Sequence, residues 1–160
     1  MKRRGFLTLL SGFAAAVCWP ARSEQAEPVA RLKKTAAEWR SLLPADRYRV
    51  LFEEDTERPF SSPLNAEKHE GKFVCAACFL PLFDSTRKFE SGTGWPSFWT
   101  PLDEAVGTKA DRSHFMTRTE VHCVRCGGHL GHVFPDGPRP TGLRYCMNGL
   151  ALDFDPEDDE

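Results

Sequence analysis

The chain has 160 residues, long enough for one domain around one core. Its 21 lysines and arginines stand against 23 aspartates and glutamates, giving a formal charge of −2. Without a basic excess, binding to nucleic acid or to anionic lipid through bulk charge is not expected.

Residues 1–23 read as an export signal. Lys2-Arg3-Arg4 forms a charged head. Phe6 to Val17 is apolar apart from Thr8, Ser11 and Gly12, and is too short for a membrane-spanning helix. Ala21-Arg22-Ser23 places small residues for a cut after Ser23. Arg3-Arg4-Gly5-Phe6-Leu7 resembles the twin-arginine signal, whose pathway carries folded proteins. An ordinary secretory signal with a chance arginine pair is the alternative. Val17 disfavours a lipid anchor at Cys18, because lipoprotein signals carry a small residue there. Cleavage removes Lys2, Arg3, Arg4 and Arg22 and no acid, leaving 17 basic against 23 acidic residues and a formal charge of −6. The expected mature protein is a periplasmic monomer with no stable membrane association and no nucleic-acid partner.

Residues 24–31 read as a linker, 32–155 as a single catalytic domain and 156–160 as an acidic tail. The spacing predicts a helix from Lys33 to Leu43, with Ala36, Trp39, Leu42 and Leu43 on one face and Pro44 as its stop. Pro44-Ala45-Asp46 opens a second short helix through Leu51. Thr56 to Asn65 reads as loop. Alternation predicts a strand from Phe115 to Cys123. Further strands are expected at Lys72–Cys75, Pro81–Asp84, Ser97–Thr100, Leu143–Met147 and Leu150–Phe154. The fold class is mainly β with a helical N-terminal arm. Pattern alone leaves sandwich and partly open barrel undecided.

Two C-x-x-C pairs, Cys75/Cys78 and Cys123/Cys126, lie 44 residues apart. Together they can supply four thiolates to one tetrahedral zinc ion. Gly127 suits the tight turn after Cys126, whereas Phe79 after Cys78 is less typical. Disulfides or a redox pair are the alternatives in an exported protein. Folding before export favours zinc, because the thiolates capture metal before meeting oxidant. Cys146 is then left free.

Three further clusters surround it in sequence. They are Gly92-Thr93-Gly94-Trp95-Pro96-Ser97-Phe98, His129-Leu130-Gly131-His132-Val133-Phe134-Pro135-Asp136, and Gly142-Leu143-Arg144-Tyr145-Cys146-Met147-Asn148. They offer a thiol, two proton donors, an amide, an arginine and aromatic walls. Asp136 reads as a turn residue, and Arg118 with Glu120 as a cross-strand charge pattern. His69, His114 and His122 carry no site signal.

With Thr56-Glu57-Arg58-Pro59-Phe60 and Lys88-Phe89-Glu90-Ser91-Gly92, these motifs make the chain resemble the methionine-R-sulfoxide reductases of the B type from about Arg47 through Phe154. The resemblance implies two antiparallel β sheets, a structural zinc, and reduction of methionine-R-sulfoxide in free or protein-bound form. It implies Cys146 as nucleophile, becoming a sulfenic acid. His132 and His129 are the candidate acids, and Arg144 favours the thiolate. By the same resemblance, Asn148 lines the site, and Trp95 and Phe134 wall the methyl pocket. Many relatives carry a resolving cysteine where this chain has Thr93. The sulfenic acid is then reduced by an external thiol, such as a thioredoxin-like protein, or by a zinc ligand at the metal's expense, and the external thiol is the expected reductant. Met147 and Gly149 also depart from common family residues. A non-enzymatic zinc-stapled binding module and a thiol peroxidase are the competing readings.

Overall fold

A computed structural model describes residues 29–113 and 116–157. The export signal, most of the linker and the last three residues lie outside the described residues. Two helices, α1 (Ala36–Leu42) and α2 (Ala45–Glu53), precede nine strands. The strands are β1 (Gly71–Cys75), β2 (Pro81–Asp84), β3 (Lys88–Phe89), β4 (Ser97–Phe98), β5 (Val106–Asp111), β6 (Arg118–Cys123), β7 (His129–Phe134), β8 (Arg144–Met147) and β9 (Leu152–Pro156). They form two antiparallel sheets, β2-β1-β9 and β3-β4-β8-β7-β6-β5. Among the described residues, no helix is long and apolar enough to cross a membrane.

Aromatic rings join the sheets. Phe73 of β1 and Phe83 of β2 meet Phe98 of β4, with centroids 4.9 and 4.3 Å away. All three are fully buried, each worth about 2 kcal/mol of apolar transfer. Leu82, Val121, Leu130, Met147 and Leu152 extend this core. Two linear sheets packed on one another settle the architecture that pattern left open.

The helical arm forms as expected but is shorter and less buried. α1 starts at Ala36 because Thr35 caps it, with Glu38 returning the bond in a capping box. Trp39 is buried against Phe52, but Leu42 is 60 % exposed and Ala36 is also exposed. The expected four-residue apolar face thus reduces to Trp39 and a half-buried Leu43. α2 runs two residues past the expected Leu51 and ends on Glu54 in the left-handed conformation. It buries Tyr48, Val50 and Leu51. The Arg47 guanidinium bonds both Asp153 carboxylate oxygens, at 2.7 and 2.6 Å, pinning α2 to β9.

β2 matches its expected range, and β1, β4, β8 and β9 match within two residues. The long strand was expected from Phe115, yet β6 begins at Arg118. Its partner β5 gives out there, with Asp111 opposite Arg118, so no ladder supports Met116 or Thr117. β3, β5 and β7 were not expected as strands. β5 is a polar edge strand with one strong apolar residue, and Gly131 interrupts the β7 pattern. Packing also passes the expected domain limits. Val29 touches the core, and Pro156 pairs with Gly71 in β9.

Candidate active site and metal centre

The four paired cysteines sit on two equivalent turns. Cys75 ends β1 and Cys123 ends β6. Phe79 N–H donates to the Cys75 carbonyl at 2.8 Å, and Gly127 N–H donates to the Cys123 carbonyl at 2.9 Å. Both closing residues are left-handed, Gly127 at φ 76° and Phe79 at φ 57°. The first turn therefore has the same shape as the second and carries the strain that glycine avoids.

These turns bring Cys75 Sγ within 3.6 Å of Cys126 Sγ, and Cys78 Sγ within 3.5 Å of Cys123 Sγ. All four sulfurs lie within 4.8 Å of one another. A disulfide needs a separation of about 2.05 Å. Four sulfurs about 2.3 Å from a tetrahedral ion stand about 3.8 Å apart. The cluster therefore fits a metal ion and not a pair of disulfides, and its four cysteines are positioned to bind one.

Cys146 lies elsewhere, in the middle of the larger sheet. It is the only cysteine outside the cluster among the described residues. Its strand β8 runs between β4 and β7, with Ser97 opposite on one side and His132 on the other. Gly131 permits this approach, because a Cβ there would collide with the Cys146 carbonyl oxygen. The half-exposed thiol opens onto a cavity of about 120 Å³ whose lining includes Thr56, Trp95, His132, Phe134 and Asn148.

A buried carboxylate shapes one wall. Glu57 accepts from Gly149 N–H and from Leu150 N–H, the latter at 3.0 Å. Its own N–H donates to Asn148 Oδ1 at 3.2 Å, and its carbonyl receives Trp95 Nε1–H at 3.2 Å. One residue thus holds the expected amide and the expected aromatic wall together. Asn148 Nδ2 also donates to the Leu130 carbonyl at 3.2 Å. Both ends of the Asn148 amide are therefore tied to main chain.

The two histidines are each backed by a carboxylate. His132 Nε2 lies 2.9 Å from Asp111 Oδ2, which also accepts from Arg118 Nη2 at 2.7 Å. A carboxylate can only accept, so it places the His132 proton on Nε2. Hydrogen bonds from Ser113, then His132 and Arg118, hold Asp111 well below the usual carboxylate range. Burial lowers the His132 pKa, against the opposing pull of Asp111. His129 is buried, with Nδ1 3.0 Å from Glu120 Oε1. Lys109 holds the other Glu120 oxygen at 2.8 Å. The His129 ring is 5.4 Å from that of His132 and borders an adjoining depression instead of the Cys146 cavity.

Arg144 stacks over Phe134 at 4.5 Å and makes a two-pronged contact with Asp136, at 2.9 and 2.8 Å. Asp136, and beyond it Cys146, favour its charged form. Asp136 was expected only to hold a turn. Here it orients the arginine beside the thiol.

Sequence reasoning left Glu57, Asp111, Arg118 and Glu120 without site roles. Glu120 was expected only in a cross-strand charge pattern with Arg118 but is 3 % exposed beneath His129. Its place on the Arg118–His122 face was legible. Its burial was not, because it depends on β5 and β7 flanking β6.

This fold and centre define a known class. The SelR domain family matches residues 43–156, which is most of the chain, and the protein belongs to it. Among curated relatives, "Peptide methionine sulfoxide reductase MsrB" of Pseudomonas putida is 54% identical over 129 residues, covering 80% of this chain and 97% of the relative. The relative of that name from Pseudomonas entomophila is 54% identical over 129 residues, covering 80% and 98%. That from Pseudomonas savastanoi pv. phaseolicola is 55% identical over 127 residues, covering 79% and 97%. The chain is thus a member of the MsrB family of methionine sulfoxide reductases.

Proposed function

We propose that the protein reduces methionine-R-sulfoxide, free or in oxidised proteins, through a sulfenic acid on Cys146. The observation that carries this reading is the placement of a lone thiol opposite His132, in a cavity walled by Trp95 and Phe134. The aromatic faces suit the sulfoxide's methyl group, and His132 stands where a proton must reach the departing oxygen. The Cys146 sulfur attacks the sulfoxide sulfur as oxygen is protonated. Oxygen passes to Cys146, giving Cys–SOH and the thioether of methionine. Two external thiols then reduce Cys–SOH to the thiol, forming their own disulfide and water. Arg144 supports the charge on the attacking sulfur. His129, one step behind, supplies His132 or the adjoining depression with a proton partner.

Zinc is the metal we assign to Cys75, Cys78, Cys123 and Cys126, because an all-thiolate tetrahedron suits it. Its role is to clip β1 to β6. The N-terminal twin-arginine pattern supports export to the periplasm, with a thioredoxin-like protein there as reductant and a monomer as the working form.

The test supplies the mature protein and dithiothreitol with separated R and S epimers of methionine sulfoxide, and separately with hydrogen peroxide. The expected result is turnover of R, near-silence on S, and complete loss in Cys146→Ser. Preference for S, or peroxide consumption without sulfoxide turnover, overturns the reading. Arg3→Lys with Arg4→Lys should trap precursor in the cytoplasm. Normal export after that change would remove the twin-arginine route alone.

A further inference from the structure

Beside Cys146 the chain builds a line of hydroxyls. Thr93 Oγ1 is 3.7 Å from Cys146 Sγ, and Ser91 Oγ is 2.8 Å from Thr93 Oγ1. Ser97 Oγ is 2.7 Å from Ser91 Oγ, and it also reaches the Trp95 carbonyl at 3.1 Å. The line therefore runs from the nucleophile to the main chain of the residue that walls its cavity. It contains four links.

Proton counting limits how the line can be filled. Each hydroxyl has one proton to donate and can accept as well. With Cys146 as a thiol there are four protons for four links. All are filled in one sense only, from Cys146 to Thr93, Ser91, Ser97 and finally the Trp95 carbonyl, which can only accept. With Cys146 as a thiolate, three protons remain for four links. The sulfur now accepts, so Thr93 must turn and donate to it. One link further along is then left empty, between Thr93 and Ser91, between Ser91 and Ser97, or at the Trp95 carbonyl.

We propose that Thr93 is a catalytic residue that donates to the Cys146 thiolate, and that Ser91 and Ser97 oppose this by drawing the line's protons toward Trp95. The attacking sulfur is thus held by a hydroxyl that turns toward it only when it is charged. The proposal deepens the reading of Cys146 as nucleophile and rests on it. The charged or titratable groups facing Cys146 are Arg144 on its own strand, and His132 and Arg118 around the cavity. None of them belongs to the line.

The test needs no sulfoxide. Iodoacetamide alkylation of Cys146 is followed at pH 7 by peptide mass spectrometry on the metal-loaded protein. Thr93→Val keeps the side chain's shape and removes the donor. Its expected alkylation rate is about three- to tenfold lower, as loss of one hydrogen bond of ordinary net strength to the sulfur predicts. Thr93→Ser should restore the wild-type rate. Ser97→Ala removes the link to Trp95, so its rate should match or exceed wild type. An unchanged rate in Thr93→Val overturns the proposal. Equal slowing in Thr93→Val and Ser97→Ala also overturns it, because that marks general loss of polarity. If Thr93→Val does not fold, Thr93→Ala gives the same comparison. Epimer turnover by the wild type remains a separate measure of the reductase reading.

Discussion

Glu120 carries two duties in one buried carboxylate. Burial pushes its pKa up, but bonds from Lys109 and His129 outweigh this and leave it below the ordinary value. It is therefore a fixed negative charge beneath a histidine at neutral pH. Glu120→Gln keeps an acceptor for His129 Nδ1–H but removes the counter-charge for its protonated form. The expected result is a loss of about 1.5–3 kcal/mol in urea unfolding, the range for a hydrogen bond to a charged group. If His129 takes part as a proton carrier, kcat falls about tenfold with KM little changed. An unchanged kcat beside the stability loss would leave His129 purely structural.

At the scale of elements, α2 ties the helical arm to the metal-binding turn. Leu51 is fully buried, and Gly128 lies so close that a Cβ there would stand 2.9 Å from Leu51 Cδ2. Leu51→Ala leaves a cavity over the second cysteine pair. It should cost about 2–5 kcal/mol and speed metal loss to a competing chelator. β6 and β7 carry a pH response as well. Burial is the first cause lowering both His122 and His132 from their ordinary 6.5. Between each folded value and 6.5 the unfolded chain binds more protons, so stability rises with pH through that window. The urea midpoint should therefore fall as pH drops below about 6.5, and His132→Gln should flatten part of that slope. Glu57, raised chiefly by burial, acts oppositely just above 4.5, so the readout is variant against wild type between pH 5.5 and 7.

For the whole molecule, the cysteine cluster is placed to cross-link the two sheets through a metal ion. β1 belongs to the three-stranded sheet and β6 to the six-stranded one. A metal held by one pair from each clips them at a point remote in sequence, and its binding energy becomes folding energy. Chelation should lower the melting temperature steeply and broaden the transition. Metal analysis of the mature protein should give one zinc per chain. Cys75→Ser and Cys123→Ser should reduce soluble yield before they reduce the specific activity of whatever folds. A metal-free protein with an unchanged melt would refute a structural ion.

Much of the site was legible one residue at a time. The cysteine pairs announce themselves by spacing, and Cys146, Trp95, His132, Phe134 and Asn148 stand in local motifs that the fold gathers around one cavity. The helical arm and six of the nine strands were readable because period and stop signals are local. β5 and β7 were not, because polar or glycine-interrupted strands exist only through the partners that pair with them. The same holds for the supporting charges. Nothing in the sequence places Glu120 under His129, Asp111 against His132, or Glu57 between Asn148 and Trp95. Those pairings join residues 9, 21 and up to 91 positions apart. Local chemistry determined which groups this protein has for its reaction. Sheet register and burial decided which of them are charged, which are held, and which face the sulfur.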